Sequence, residues 1–446
     1  MIKNHDELHE ECGVVAIWGD DNAAQLTYYG LHSLQHRGQE AAGIVVRNNK
    51  KKLNIHKGEG LVSEVFDKEK IKKLSGNAAI GHVRYSTAGG GGIMNVQPFL
   101  FRTLDGMMGI AHNGNIVNAN SLKKELEENG SIFNSTSDTE VLGHLIKRET
   151  GRFVDRICKS LEKIDGAFAF VILVEDALYV ARDRYGLRPL SMGRLPSGGY
   201  MFSSETCALD IAGAEFVRDV EPGEIIRVKD GIIKSKKYTE TLPICNKLCA
   251  MEYIYFSRPD SNLDGINVHT ARKTCGKTLF EEAPVEADLV IGVPDSSISA
   301  AIGYSEASGI PYEMGLIKNK YVGRTFIQPT QEMRERGVRM KLSAVSSIVK
   351  GKRVIMIDDS IVRGTTSKRI VKLLKEAGAT EVHVRIASPA IKFPCFYGVD
   401  ISTLEELISH RMNVEELCQF IEADSLAFIS MEGLKKSVKH DMDGNC

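Results

Sequence analysis

The pattern of apolar and polar positions changes character near the middle of the chain. Up to about residue 235, short apolar runs are bounded by Gly, Asn or charge: 12–18 (CGVVAIW), 42–46 (AGIVV), 79–83 (AIGHV), 109–113 (GIAHN) and 167–173 (AFAFVIL). Runs of this kind predict strands, with further ones at 177–181 and 223–228. Two helices, 23–34 and 121–128, interrupt them. Strands that outnumber helices without alternating with them predict layered sheets rather than a βαβ repeat.

After the midpoint, apolar strands and amphipathic helices alternate. Residues 288–293 (DLVIGV) predict a buried strand followed by a helix over 297–308. Residues 353–357 (RVIMI) predict another, with a helix over 366–377 and a returning strand over 382–386. In that helix Ile370, Val371, Leu373, Leu374 and Ala377 share one face, and Gly378 marks the stop. Strand–helix–strand with apolar strands predicts a parallel sheet covered on both faces. Two domains follow, 12–237 and 250–446, joined by a linker at about 238–249 and preceded by a short leader, 1–11.

Composition narrows the function classes. In 446 residues, 57 Lys and Arg balance 58 Asp and Glu, for a formal net charge of −1. That balance argues against nucleic acid or an anionic membrane as partner. No stretch approaches the roughly 18 uninterrupted apolar residues of a membrane span. The leader carries Asp6, Glu7, Glu10 and Glu11 and no apolar block, so it is not a secretory signal and a cytoplasmic location is expected. Nine scattered cysteines do not make a disulfide scaffold.

Candidate chemistry begins at Cys12, in E-C-G-V-V-A-I-W. Alone it reads as a buried core thiol. Its company argues otherwise: 34–44 (LQHRGQEAAGI, with Arg37), 81–89 (GHVRYSTAG, with Arg84), 111–116 (AHNGNI, with Asn113 and Gly114) and 136–140 (TSDTE, with Asp138). Arg84 suits a bidentate pair with an α-carboxylate, and Asp138 suits an α-ammonium. The Asn113 amide and the Gly114 N–H suit a developing oxyanion. Glycines 89–92 suit a loop that folds over substrate. These fragments resemble the N-terminal-nucleophile glutamine amidotransferase domain. The resemblance implies that Cys12 becomes the first residue, that its free α-amine acts as general base, and that Arg37 joins Arg84 and Asp138 in binding glutamine. An α-amine of pKa about 7.7–8.0 suits that task. The Glu11–Cys12 amide does not, so removal of the leader is expected to precede activity.

The second signal is V-I-M-I-D-D-S-I-V-R-G-T-T, 354–366, in which four apolar residues end in two carboxylates and a Gly/Thr loop opens a helix. Backbone N–H groups at such a helix start form an anion cradle. The segment resembles the phosphoribosyltransferase signature. That resemblance implies that Asp358, Asp359, Ser360, Arg363, Gly364, Thr365 and Thr366 hold 5-phosphoribosyl-1-pyrophosphate. Ser296, in GVPDSS beside Asp295, would serve Mg²⁺ together with Asp358 and Asp359. Residues 318–341, with three Lys and four Arg, are expected to be a basic lid.

Both modules in this order, with EYIYFSRPDS (252–261) between them, resemble the glutamine phosphoribosylpyrophosphate amidotransferase family over nearly the whole chain. An αββα N-terminal-nucleophile domain (α+β) is then expected, followed by an α/β type I phosphoribosyltransferase domain with a parallel sheet. Transfer of the glutamine amide nitrogen to C1 of the sugar, feedback by purine nucleotides and a homotetramer are implied. One branch of the family carries a 4Fe–4S cluster, for which Cys249 and Cys395 match two ligand positions. Cys446 stands just ahead of the Cys-x-x-Cys that supplies the others, so the chain is cut short or the cluster is absent. Cys245 and Cys249 would face one metal only if helical. The alternatives are another amidotransferase of the same nucleophile class or a catalytically silent nucleotide-sensing regulator.

Overall fold

The computed structural model describes residues 12–85, 92–103, 105–319, 342–399, 401, 403–438 and 446. The leader, most of the 89–92 glycine loop and most of the basic 318–341 segment lie outside the described residues.

Two antiparallel sheets build the first domain. In the seven-stranded sheet, Gly13–Trp18 lies between Tyr200–Ser203 and Ala78–Arg84. In the six-stranded sheet, Gly106–Ile116 lies between Phe99–Thr103 and Gly166–Val174. Side chains alternate along Gly13–Trp18. Val14 and Ala16 join Val45, Ile80, Ala111 and Val171 in the layer between the sheets. Val15 and Ile17 turn the other way, onto the helix Ala23–Ser33 with Leu31 and Leu34. Both faces are covered, which is why this strand reads as one continuous apolar run.

The outer layer on the second sheet includes two helices that the apolar pattern did not reveal, Thr139–Arg148 and Phe153–Glu162. Both are short, and Gly143 interrupts the stripe of Val141, Leu142, Leu145 and Ile146. Packing explains that glycine, since a Cβ there would sit 2.5 Å from the Phe101 ring. The expected 121–128 helix is Ala119–Glu128.

The second domain follows the expected grammar closely. Leu289–Gly292, Arg353–Asp358, Glu381–Ile386 and Ser425–Phe428 form a parallel sheet in that order. One face carries Val268–Glu282, Ile298–Ser308 and Met431–Val438, and the other carries Thr365–Glu376 and Val414–Ile421. Ile370, Val371 and Leu374 of Thr365–Glu376 are buried, and Gly378 follows its end at φ 100°. Residues 245–249 are docked rather than loose. The amides of Cys245, Lys247 and Cys249 donate to the carbonyls of Arg184, Tyr185 and Leu187.

Candidate functional site

Cys12 opens the central strand of the first sheet, half-buried, its Sγ 3.5 Å from the Tyr85 carbonyl. The neighbouring strand Ala78–Arg84 pairs Val83 with Gly13 and ends at Arg84, whose side chain is buried. From the second sheet, Gly106–Ile116 brings Asn113 to the same end. Asn113 is fully buried and its Nδ2 donates to Ser204 Oγ at 3.3 Å, while its Oδ1 has no partner among the described residues. Ser204 Oγ also accepts the Val14 N–H at 3.0 Å, tying Asn113 to the strand that Cys12 begins.

Gly114 adopts φ 141°, and a Cβ there would stand 2.0 Å from the Ala167 carbonyl oxygen. Only glycine fits this backbone. Asp138 Oδ2 accepts the Ile116 N–H at 2.8 Å, so Asp138 stands just beyond Asn113 and Gly114. Beneath them His82 reaches the His112 carbonyl at 3.1 Å, and His112 stacks on Phe170. Burial, then the Arg84 charge, brings His82 down to about 3, so the ring is neutral near pH 7.

Arg37 behaves unlike a substrate-facing arginine. It is 1% exposed, its guanidinium is held by Glu205 and Glu252, and its Nε donates to the Cys12 carbonyl at 3.2 Å. Its charge is answered by protein carboxylates.

The second site lies at the carboxyl end of the parallel sheet. Arg353–Asp358 delivers Asp358 and Asp359, both under 10% exposed. Ser296 Oγ donates to Asp359 Oδ2, Ser297 Oγ to Asp358 Oδ1 at 3.2 Å, and Ser360 Oγ to Asp359 Oδ1 at 2.7 Å. No salt bridge reaches either carboxylate among the described residues. Burial, and then the neighbouring Asp359 charge, raises Asp358 well above the ordinary carboxylate value; burial raises Asp359 too. Gly364, at φ 75°, turns the chain into Thr365–Glu376, whose first hydroxyl, Thr365 Oγ1, is buried and unpartnered. Arg363 pairs with Glu406 at 2.8 Å. A small cleft is lined by Tyr253, Arg272, Ser296, Ser297 and Asp359.

Two family models match where these sites lie: a glutamine amidotransferase domain over residues 89–210 and a phosphoribosyl transferase domain over 270–389. The chain is 61% identical to an amidophosphoribosyltransferase of Bacillus subtilis over 451 aligned residues, covering all of this chain and 94% of the relative. It is 55% identical to the amidophosphoribosyltransferase of a Staphylococcus aureus strain, over 99% of this chain and 89% of that one. The chain belongs to the amidophosphoribosyltransferase family. Among solved structures, glutamine phosphoribosylpyrophosphate amidotransferase from Bacillus subtilis, complexed with ADP and GMP, superposes with a TM-score of 0.92 at 59% identity. It covers 98% of this chain and 95% of that one.

Within this amidophosphoribosyltransferase fold, the cysteines divide cleanly. Cys158, Cys207 and Cys275 are buried and Cys418 is half-buried, with burial raising each thiol's pKa. Cys245 and Cys249 sit in a non-helical segment, so helical i, i+4 spacing does not apply. Cys249 and Cys395 share one apolar cluster, and the Cys446 N–H donates to the Leu248 carbonyl at 3.2 Å. Among the described residues no group of three His, Cys, Asp or Glu is placed to hold a metal ion. Sequence patterning passed over Ser204, Glu205 and Arg272, and quoted Glu252 within 252–261 without a role. Each is a polar residue in an otherwise ordinary stretch, and only its burial sets it apart.

Proposed function

We propose that the two sites act in series on glutamine and 5-phosphoribosyl-1-pyrophosphate, in the first step of purine biosynthesis. The chain transfers the glutamine amide nitrogen to C1 of the sugar, leaving glutamate and pyrophosphate. The observation that carries this is the pairing, on one chain, of Cys12 beside Asn113 and Gly114 with the Asp358–Thr366 cradle. No observation favours the nucleotide-sensing regulator.

In the first half, removal of residues 1–11 frees the Cys12 α-amine, which takes the thiol proton. The sulfur attacks the carboxamide carbon while Arg84 and Asp138 hold the amino-acid end. Negative charge on the carboxamide oxygen is met by Nδ2 of the fully buried Asn113 and by the N–H of the half-buried Gly114. The C–N bond then breaks, ammonia leaves with the proton, and water hydrolyses the glutamyl thioester.

In the second half, ammonia displaces pyrophosphate from C1. Gly364, Thr365 and Thr366 at the helix start cradle phosphate, with Ser360 and Arg363 flanking, and Asp358 and Asp359 address the ribose hydroxyls. Two buried carboxylates with no direct salt bridge among the described residues suit a divalent ion, which Ser296, Asp358 and Asp359 would help to hold. Bound Mg²⁺ supplies charge neutralisation for the departing pyrophosphate. Purine nucleotides are proposed as feedback ligands, with a homotetramer in the cytoplasm; equilibrium binding and sedimentation test the first two.

The deciding assay is pyrophosphate release that requires both glutamine and the sugar pyrophosphate, run beside intact-mass analysis of the enzyme. Full activity from chains that still begin at Met1 would overturn the processing step. Pyrophosphate release without a nitrogen donor would overturn the transfer.

A further inference from the structure

We propose that Arg37, Glu205 and Glu252 form a buried strut across the domain boundary that positions Cys12, with Glu252 supplied by the phosphoribosyltransferase half. The inference rests on Cys12 being the nucleophile. Glu205 and Glu252 are each 0% exposed. Arg37 Nη2 donates to Glu252 Oε1 at 2.6 Å and its Nη1 to Glu252 Oε2 at 3.0 Å, a two-point pairing of guanidinium and carboxylate. Nη1 also donates to Glu205 Oε1 at 2.6 Å, leaving Nε aimed at the Cys12 carbonyl.

Both carboxylates are fastened in turn. Ser257 Oγ donates to Glu252 Oε2 at 2.7 Å. Glu205 Oε2 accepts from Ser261 Oγ at 2.6 Å and from the Arg258 N–H at 2.9 Å. His36 Nε2 lies 2.7 Å from Glu205 Oε1. Burial alone would raise the Glu205 pKa, but His36 and Arg37 outweigh it and hold the group ionised. Segment 252–261 therefore belongs to the environment of Cys12 as much as to its own domain. Tyr253 and Ile254 pack in the second domain's core, and the Ser257 carbonyl accepts from Arg272 Nη2 at 2.8 Å.

A free N-terminal residue lacks a preceding peptide bond to hold it. Orientation of the Cys12 thiol then depends on what grips its carbonyl and the strand after it, and small misplacement of a nucleophile is costly. Arg37 is that grip, and a fork bonded to carboxylates from both domains cannot swing.

The test uses processed full-length enzyme and the glutamine analogue 6-diazo-5-oxonorleucine, following addition to Cys12 by intact mass. For Glu252→Gln, the limiting labelling rate at saturating analogue should fall by about tenfold or more, with half-saturation unchanged. Synthesis from free ammonia should persist. Ser257→Ala, a milder change that leaves both charges, should slow labelling by about threefold. Wild-type labelling elsewhere than Cys12 would overturn the nucleophile assignment and, with it, the strut's role in positioning Cys12. Wild-type rates in both variants would overturn the strut. So would equal losses of labelling and ammonia-driven synthesis with a lowered melting temperature, which would mark general structural damage.

Discussion

Two sets of buried carboxylates in this molecule meet opposite fates. In the first domain, Glu140 accepts from Ser135 Oγ and from the Asn134 and Ser135 N–H groups, and lies 3.6 Å from His144. Burial alone would raise its pKa, but these partners bring it down to about 2. Glu205 is held low in the same way. In the second domain, Asp358 and Asp359 accept from hydroxyls and form no salt bridge among the described residues; burial leaves both raised, although the Arg272 charge favours ionised Asp359. Charge that the fold has already answered is scaffold. Charge that the fold buries without a direct salt bridge is what the proposed sugar site would use.

The largest effect should come from Cys12→Ala, which separates the halves outright. Glutamine-dependent synthesis should fall by about 10⁴-fold or more, while ammonia-driven synthesis stays within about twofold. Loss of both would show that the halves are not separable. The reciprocal change is Asp358→Asn with Asp359→Asn. Synthesis from either nitrogen source should fall by about 10²-fold or more, basal glutaminase should survive, and Mg²⁺ should no longer raise the melting temperature. Retained synthesis would remove both residues from the sugar site.

Asn113→Ala sharpens the contrast inside the first half. Loss of one preorganised oxyanion donor should lower glutaminase kcat by about 10²-fold with little change in KM. A change confined to KM would make Asn113 a binding residue instead. Gly364→Ala probes the cradle. Its φ of 75° and a Cβ only 3.0 Å from Ile408 Cδ1 should cost about 1–2 kcal/mol and weaken sugar pyrophosphate binding. Unchanged binding would show that the turn does not shape the phosphate site.

The smallest effect is one of pH, and the two sets should respond with opposite sign. Glu140, lowered in the fold from 4.5 to about 2, contributes stability present above about 4.5 and lost as pH falls towards 2. Asp358, raised above its ordinary 3.8, contributes stability present below that value and lost as pH rises through its folded pKa. Without Mg²⁺, hydrogen exchange around 354–366 should therefore speed up as pH rises above 3.8, beyond its intrinsic base catalysis, and slow again when the ion is added. Exchange that ignores both pH and Mg²⁺ would remove the distinction between the two sets.

The expected β-runs fall on observed strands, and the second domain's helices start within a residue or two of expectation. Both kinds of element carry an uninterrupted period, and both faces of their sheets are covered by apolar contacts. Thr139–Arg148 and Phe153–Glu162 escaped because a helix of ten residues with a polar outer face leaves too few apolar positions to establish a period. Edge strands such as Glu215–Asp219 escaped because their exposed faces carry mixed residues.

The site divides along a similar line. Cys12, Arg84, Asn113, Gly114, Asp138 and the run from Asp358 to Thr366 were legible because each sits in a short local pattern whose chemistry needs neighbours in sequence. Arg37 was legible as important, but the side its guanidinium faces was not. Glu205 and Glu252 lie 168 and 215 residues further along the chain; Glu205 sits in no motif, and Glu252, though it opens EYIYFSRPDS, had no role there. By itself the sequence determined the two fold classes, a cysteine at a strand start and a Gly/Thr turn at a helix start, since those depend on local period and local turns. Only the tertiary structure decided which buried charges were already paired. Electrostatic partnership depends on distance in space, and burial in a low-dielectric interior is what makes that distance count.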